Sequence, residues 1–239
     1  MSVDAGRIRA IYRKELREYR RTSTIVATMM ALPVGVATFP LLFVLSMPTS
    51  AAHTLQGDPL IVLLGIPALV PTTIAAYAVV GERTQGSLEP VLTTAIPGDE
   101  LLLAKALAAL LPSLVVSYGV FALFALITTV FAHPGVAAAV LSWQDVSVQI
   151  LFTPLLAVLT IWIGIAVSTR TTDVRVAQQL AALAGLPILL VCYLVAFDVI
   201  PASIAVAVVL AVVLVVADLL GWRVVSVAFD RERLITSTR

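Results

Sequence analysis

Charge is scarce in this sequence, and its scarcity decides the class. Asp, Glu, Lys and Arg make up 12% of the 239 residues, where a soluble domain carries about a quarter. Hydrophobic residues reach 60% and mean hydropathy is +1.06, so the chain reads as a membrane protein before any window is drawn. The net charge of +1 says little about partners; where the charges stand says more. The one cysteine, Cys192, lies in an apolar run. That excludes an internal disulfide or a cysteine-based metal site and leaves inert packing as the reading of the thiol. The two histidines, His53 and His133, are too few ligands for a metal. No His-Glu-x-x-His, nucleophile elbow or pair of intramembrane carboxylates occurs, so nothing points to catalysis within the chain.

What the sequence does have is six long apolar runs, at about 25–47, 59–80, 106–131, 148–167, 177–197 and 202–222. Each can cross a hydrocarbon core of about 30 Å at 1.5 Å per residue, and the third is long enough to require tilt or protrusion. Arg20-Arg21 ahead of the first run could suggest an export signal, but that run far exceeds the apolar core of a signal peptide and reads as a span. Pro33, Pro40, Pro67, Pro71, Pro112, Pro154 and Pro187 would break soluble helices. A membrane bundle accepts them where neighbours satisfy the freed carbonyls. The expectation is an all-α, polytopic protein, residues 1–239 forming one transmembrane domain with no soluble domain. Six spans are expected, although the short 197–202 break leaves one span plus a re-entrant hairpin as an alternative for the last two runs. No internal repeat of the kind found in many secondary transporters is evident.

Residues 5–21 form a basic amphipathic helix, with Ile8, Ile11, Tyr12, Leu16 and Tyr19 on one face and Arg9, Arg13, Arg17 and Arg20 over the remainder. Such a helix is expected in the interface plane, against anionic membrane lipid; a nucleic-acid role is disfavoured because the apolar stripe has no soluble core to join. The basic residues also orient the chain. Arg7, Arg9, Arg13, Lys14, Arg17, Arg20 and Arg21 precede the first span. Arg83 and Lys105 follow the second, Arg170 and Arg175 the fourth, and Arg223, Arg231, Arg233 and Arg239 the sixth. The alternate loops hold only His53, Asp58, His133, Asp145 and Asp198. Both termini and the loop after the second span are therefore expected in the cytoplasm, and the protein in the plasma membrane.

That loop, Gly81–Lys105, is too polar to cross a bilayer and too patterned to be slack. Ser87 can cap a helix that tolerates Pro90 in its first turn. Leu88, Val91, Leu92, Ala95 and Ile96 give it one apolar face, with Glu89 and Thr93 opposite. Pro97-Gly98 ends this helix, and Asp99-Glu100 open the next at its positive end. The glycine spacing of GERTQGS at 81–87 suggests a P-loop, but Ser87 stands where the phosphate-binding lysine must be, and no strand precedes it. Glu82, Arg83 and Glu89 read either as a solvated turn with an internal ion pair or as a docking knob for a soluble partner. The amphipathic helix beside them favours docking.

These features resemble the integral permease of type-2 ABC transporters. The matching residues are Glu82-Arg83, Gly86-Ser87, Leu88-Glu89, Val91-Leu92, Pro97, Glu100 and Lys105, with Lys14-Glu15-Leu16 ahead of the first span. The family usually has Thr-Pro where this chain has Ala95-Ile96-Pro97, a mild departure. The resemblance implies that two permease copies pair and that two ATPase subunits, which bind ATP and magnesium, dock beneath them. It implies no cofactor and no hydrolysis on this chain. The 87–96 helix would be the coupling helix, with Glu82, Arg83, Gly86, Leu88, Glu89, Val91 and Leu92 as its coupling residues. The 5–21 helix, with Ile8, Ile11, Tyr12, Lys14, Glu15, Leu16 and Tyr19, would be the interfacial helix, which also touches the ATPase. Substrate would most often move outward.

Other polar residues have simpler readings beside the functional ones. Lys105 is expected to snorkel to the headgroups. Asp218 is expected to pair with Arg223 or a neighbouring helix, and Asp173 with Arg175 across the 170–179 turn. The hydroxyls of Thr72, Thr73 and Tyr77 on the second span and Ser113, Ser117 and Tyr118 on the third either bond a helix backbone or line a translocation path. Ala177, Ala181 and Gly185, at i, i+4 and i+8, offer a close-contact face to the bundle or to a second copy. An ion-gradient-driven transporter or channel remains the rival reading. It needs ionisable groups near the midplane, where the chain offers only Asp218, close to an edge.

Overall fold

The computed structural model describes residues 5–48, 59–84, 97–201 and 203–228. In chain order the helices are α1 (Ala5–Arg21), α2 (Ser23–Ser46), α3 (Pro59–Val62), α4 (Gly65–Thr84), α5 (Gly98–Phe131), α6 (Pro134–Val140), α7 (Trp143–Ser168), α8 (Val174–Ala196) and α9 (Ile204–Ala228). No strand occurs among the described residues. Among the described residues six segments are long and apolar enough to cross a membrane: α2, α3 with α4, α5, α7, α8 and α9. The re-entrant alternative for the last two runs falls away, because α8 and α9 are full helices of 23 and 25 residues. If each segment crosses once, α1, the ends of α4 and α7, and the starts of α2, α5 and α8 share one side.

Local chemistry sets where these helices begin and end. Ser142 caps α7 by accepting from the Asp145 N–H at 3.2 Å, while its hydroxyl donates to Asp145 Oδ2 at 2.5 Å, a reciprocal cap of the Ser-x-x-acid type. Asp173 does not pair with Arg175 as expected. Its Oδ1 accepts from the backbone N–H groups of Arg175 at 2.7 Å and Val176 at 3.2 Å, capping α8. His133-Pro134-Gly135 opens α6, with Pro134 at the first helical position, where its missing N–H has no cost. At the end of α8, Asp198 adopts φ 59°. The N–H of Val199 then reaches Leu194 O at 2.9 Å and that of Asp198 reaches Val195 O at 3.0 Å, a Schellman termination. Pro67 lacks the N–H that would bond Leu63. Ile66 takes that carbonyl instead at 3.0 Å, and the break between α3 and α4 follows.

The bundle is built around the second span. The most apolar stretch of Pro59–Glu82 is 89% buried within the chain, against 0% for Ile204–Val227, so α4 is an axle and α9 lies at the rim. α7 grips α4 through three residues spaced i, i+4, i+8. Thr160 Oγ1 donates to Pro67 O at 3.1 Å. Gly164 lies so close that a Cβ there would stand 2.7 Å from Ala75 Cβ and 2.8 Å from Thr72 O. Ser168 Oγ accepts from the N–H groups of Val79 and Val80, both at 3.0 Å. Small residues at one-turn intervals let two backbones approach, the usual solution where water supplies no driving force between helices. Ala177 and Ala181 of α8 pack on Ala76 and Val80, so this small-residue face also meets α4. α9 attaches through Trp222, whose ring meets Trp162 edge-on at 5.5 Å, and through Gly221 beneath the same indole.

Two of the prolines have the carbonyls they free satisfied from a neighbouring helix. Pro71 cannot donate to Pro67 O, and Thr160 does so; the same hydroxyl also faces Leu156 O at 2.8 Å and Ala157 O at 3.1 Å. Pro154 frees Ile150 O, which accepts from Tyr118 OH at 2.9 Å. The expected tolerance for proline in a bundle is thus visible at these two positions.

Candidate functional site

The densest electrostatics lie where α1, the end of α4 and the start of α5 meet. Lys105 stands two turns into α5 and is 0% exposed. Its ammonium donates to Ala78 O at 2.8 Å and Glu15 Oε1 at 3.0 Å, and it pairs with Glu82 Oε2 at 3.0 Å. Lys14 takes the other oxygen of Glu82 at 2.5 Å and lies 3.4 Å from Glu15 Oε1. Lys14, Glu82, Lys105 and Glu15 therefore form a closed ring of alternating charge that joins three helices. Glu18 adds a contact to Lys14 at 3.5 Å, and Arg7 ties α1 to the first turn of α5 through Glu100 at 3.2 Å.

This geometry corrects one expectation directly. Lys105 does not snorkel; its amine turns inward because two carboxylates and a carbonyl wait there. Glu15, set among Ile11, Tyr12 and Tyr19 on the inner face of α1, is 2% exposed, as is Glu82. The apolar face of α1 packs on the bundle: Tyr19 is buried in the main core, with Ile11 and Tyr12 against it. Ile8 and Leu16 are half-buried at its edges.

Burial of a lone ion would be prohibitive, but a ring in which each charge has opposite neighbours offsets much of the desolvation. Burial pulls the Lys14 ammonium towards losing its proton. The hydrogen bond that Lys14 donates to Glu82 and the charges of Glu15, Glu82 and Glu18 outweigh that and hold it well above the usual lysine range. Burial, reinforced by the nearby carboxylates of Glu15, Glu18 and Glu82, pushes the Tyr19 phenol well above its ordinary value. Both groups therefore keep their protons at neutral pH. Such a cluster holds position.

The ring lies at the root of the polar loop. The chain leaves the described residues after Thr84 and returns at Pro97, so Glu82 and Lys105 brace its two ends. The expected coupling residues Gly86, Leu88, Glu89, Val91 and Leu92, and the 87–96 helix itself, lie outside the described residues, as does the Arg83 side chain. Four of the six hydroxyls weighed as a pathway are bonded to backbone. Thr72 donates to Ala68 O at 2.9 Å, Thr73 to Val70 O at 2.8 Å and Ser113 to Ala109 O at 2.7 Å, and Tyr118 reaches Ile150 O of α7. Ser117 is buried on α5 and Tyr77 on α4. The expected partner of Asp218 is not found: its Oδ1 has no hydrogen-bond partner among the described residues.

Sequence reasoning placed Lys14, Glu15, Glu82 and Lys105 in the right segments without joining them. The available signal was that Lys105 stands at the start of the third apolar run, where a cation turned inward demands an anion. The Thr160, Gly164 and Ser168 grip was missed too, although it repeats the spacing noticed at Ala177, Ala181 and Gly185.

Comparison with curated proteins returned no match. A family profile described as ABC-2 type transporter matches residues 6–209, from the first turn of α1 into α9. With that match over most of its length and six apolar helices capable of crossing a membrane, the chain belongs to the ABC-2 type transporter family, as a membrane-spanning permease component of an ABC transporter.

Proposed function

We propose that this permease moves its substrate outward across the plasma membrane when a separate ATPase subunit docks on the 81–105 loop. Both termini and the loop face the cytoplasm, where the lysines and arginines of the sequence gather. Two permease copies pair above two ATPase subunits, which carry the ATP and magnesium. The loop helix at 87–96 receives the stroke, with Glu89 and Leu92 at the contact and Glu82 acting from its root. The observation that supports this reading is the ring of Lys14, Glu82, Lys105 and Glu15. A force on the loop enters α4, α5 and α1 together, because the three are bound at its base. From α4 it passes along the α7 grip into the bundle.

The test is co-purification of the tagged permease with its ATPase subunit, followed by ATP-driven transport in proteoliposomes. Glu89→Ala and Leu92→Asp are expected to insert normally while losing ATPase binding or coupled transport by an order of magnitude. Wild-type binding and transport in both variants would remove the loop's role. Transport that persists without ATP on a proton gradient would instead support the gradient-driven reading.

A further inference from the structure

α9 turns one stripe towards the bundle. Leu214 packs against the cluster around Phe152 and Leu156, while Trp222 and Val225 join the main core. Asp218 stands between them on the same stripe. It precedes Arg223, the only cation of α9, by about 7.5 Å of helix axis, so its carboxyl lies beneath the headgroups, in the apolar part of the span. Its Oδ1 is buried without a hydrogen-bond partner. Among the described residues no cation answers it: α7 carries Asp145 alone, at its first turn, Lys105 of α5 is committed to the ring, and Arg223 lies about 140° round α9. Trp162 of α7 supplies a second unpaired group. Its indole is 8% exposed, and the buried N–H has no acceptor. A Cβ on Gly221 would stand 2.8 Å from Trp162 Cδ1, the ring atom bonded to Nε1, so the edge that carries the N–H borders α9 one turn beyond Asp218. Trp222 meets the same indole edge-on. The lone acceptor and the lone donor do not bond each other.

We propose that this seam between α7 and α9 is a binding site for a lipophilic ammonium that also carries an oxygen acceptor. The ammonium donates to Asp218 and supplies its missing counter-charge, a charge-assisted bond in a setting of low dielectric. The oxygen accepts from the Trp162 indole, and the two tryptophan rings offer faces that attract a cation. A metal ion is a poor occupant, since one carboxylate among apolar neighbours offers too few oxygens. The ligand arrives from the bilayer: Val215, Val216, Leu219 and Leu220, which flank Asp218 on α9, are exposed. At this depth an amphiphile keeps its charge near the headgroups while its apolar body enters the hydrocarbon. That such a ligand is then carried outward rests on the export reading; its binding does not.

The experiment uses the full chain purified in dodecyl maltoside and equilibrium dialysis of tritiated propranolol, a lipophilic secondary amine with a hydroxyl. Its N-acetyl amide, which keeps the rings and the hydroxyl but carries no charge, is the comparison. The wild-type protein should bind the amine saturably and ~10-fold or more tightly than the amide, the equivalent of one charge-assisted hydrogen bond. Asp218→Asn should remove that preference, and Trp162→Phe, which keeps an aromatic ring, should weaken binding of the amine by ~5-fold. Without ligand, Asp218→Asn should unfold at the wild-type temperature or above, because no partner within the protein is lost. No saturable binding of the amine, equal binding of amine and amide, or a preference that survives Asp218→Asn overturns the proposal. A lower unfolding temperature for unliganded Asp218→Asn overturns it too, by assigning the carboxylate to a partner in the protein, a second copy included. Because the assay contains neither ATP nor an ATPase subunit, its failure is distinct from a failure of the export reading.

Discussion

At the scale of single residues, the bundle depends on polar groups that have been given partners. Lys105 is the extreme case, an ammonium with no exposure and three oxygen neighbours. Lys105→Met leaves Glu15 and Glu82 short of a counter-charge in the interior, so destabilisation of about 3–5 kcal/mol is expected. Adding Glu15→Leu should recover part of that loss, since it removes one stranded carboxylate. Thermal unfolding in detergent measures both, and a double variant less stable than the single one would contradict the ring. Thr160 offers a sharper case. Thr160→Val keeps the shape but removes the donor to Pro67 O, for an expected loss of about 1 kcal/mol. In a Pro71→Ala background, residue 71 regains an N–H and can bond Pro67 O itself, so the same change should have a smaller effect. Equal losses in both backgrounds would show that Thr160 serves its own helix through Leu156 and Ala157. Neither partnership was legible in the sequence. Lys105 announced that it needed an anion, but two candidates stood 90 and 23 residues away and only folding chose both.

Among elements, the contact that matters most is the one between α4 and α7. Thr160, Gly164 and Ser168 meet α4 near its start, middle and end, so the two helices move as one body if they move at all. Gly164→Leu places a side chain where a Cβ alone would be 2.8 Å from the Thr72 carbonyl. Overpacking of this kind typically destabilises by about 1–3 kcal/mol. The loss should appear as a lower unfolding midpoint, with α9 and its Trp162–Trp222 contact reporting the disturbance through tryptophan fluorescence. A fully wild-type midpoint would mean that the helices are not in close contact at this level. The helices themselves were readable in outline, because apolar length is a strong signal. Their ends were less so: α7 begins at Trp143 rather than near 148, because Ser142 and Asp145 form a cap that hydropathy does not see. The amphipathic face of α1 was read correctly as a face, but an apolar stripe alone does not say whether protein or bilayer covers it. Glu15 within that stripe was the clue that protein does.

For the whole molecule, the account is of a bundle with a braced base. α4 runs through the middle, α7 and α8 clasp it, and α1 is bolted by charge to the point where the polar loop leaves and returns. The family was legible from about 25 residues of that loop, whereas the ring that supports it emerges only when residues 14, 15, 82 and 105 are brought together. Force is proposed to enter at the loop from the cytoplasmic side, and the side on which the loop lies is the claim on which the mechanism turns. The direct measurement replaces Cys192 with Ala, introduces Thr94→Cys within the loop, and treats sealed vesicles of each orientation with a membrane-impermeant maleimide. Labelling only in inside-out vesicles is the predicted result; labelling of intact right-side-out vesicles would place the loop outside the cell and contradict the account.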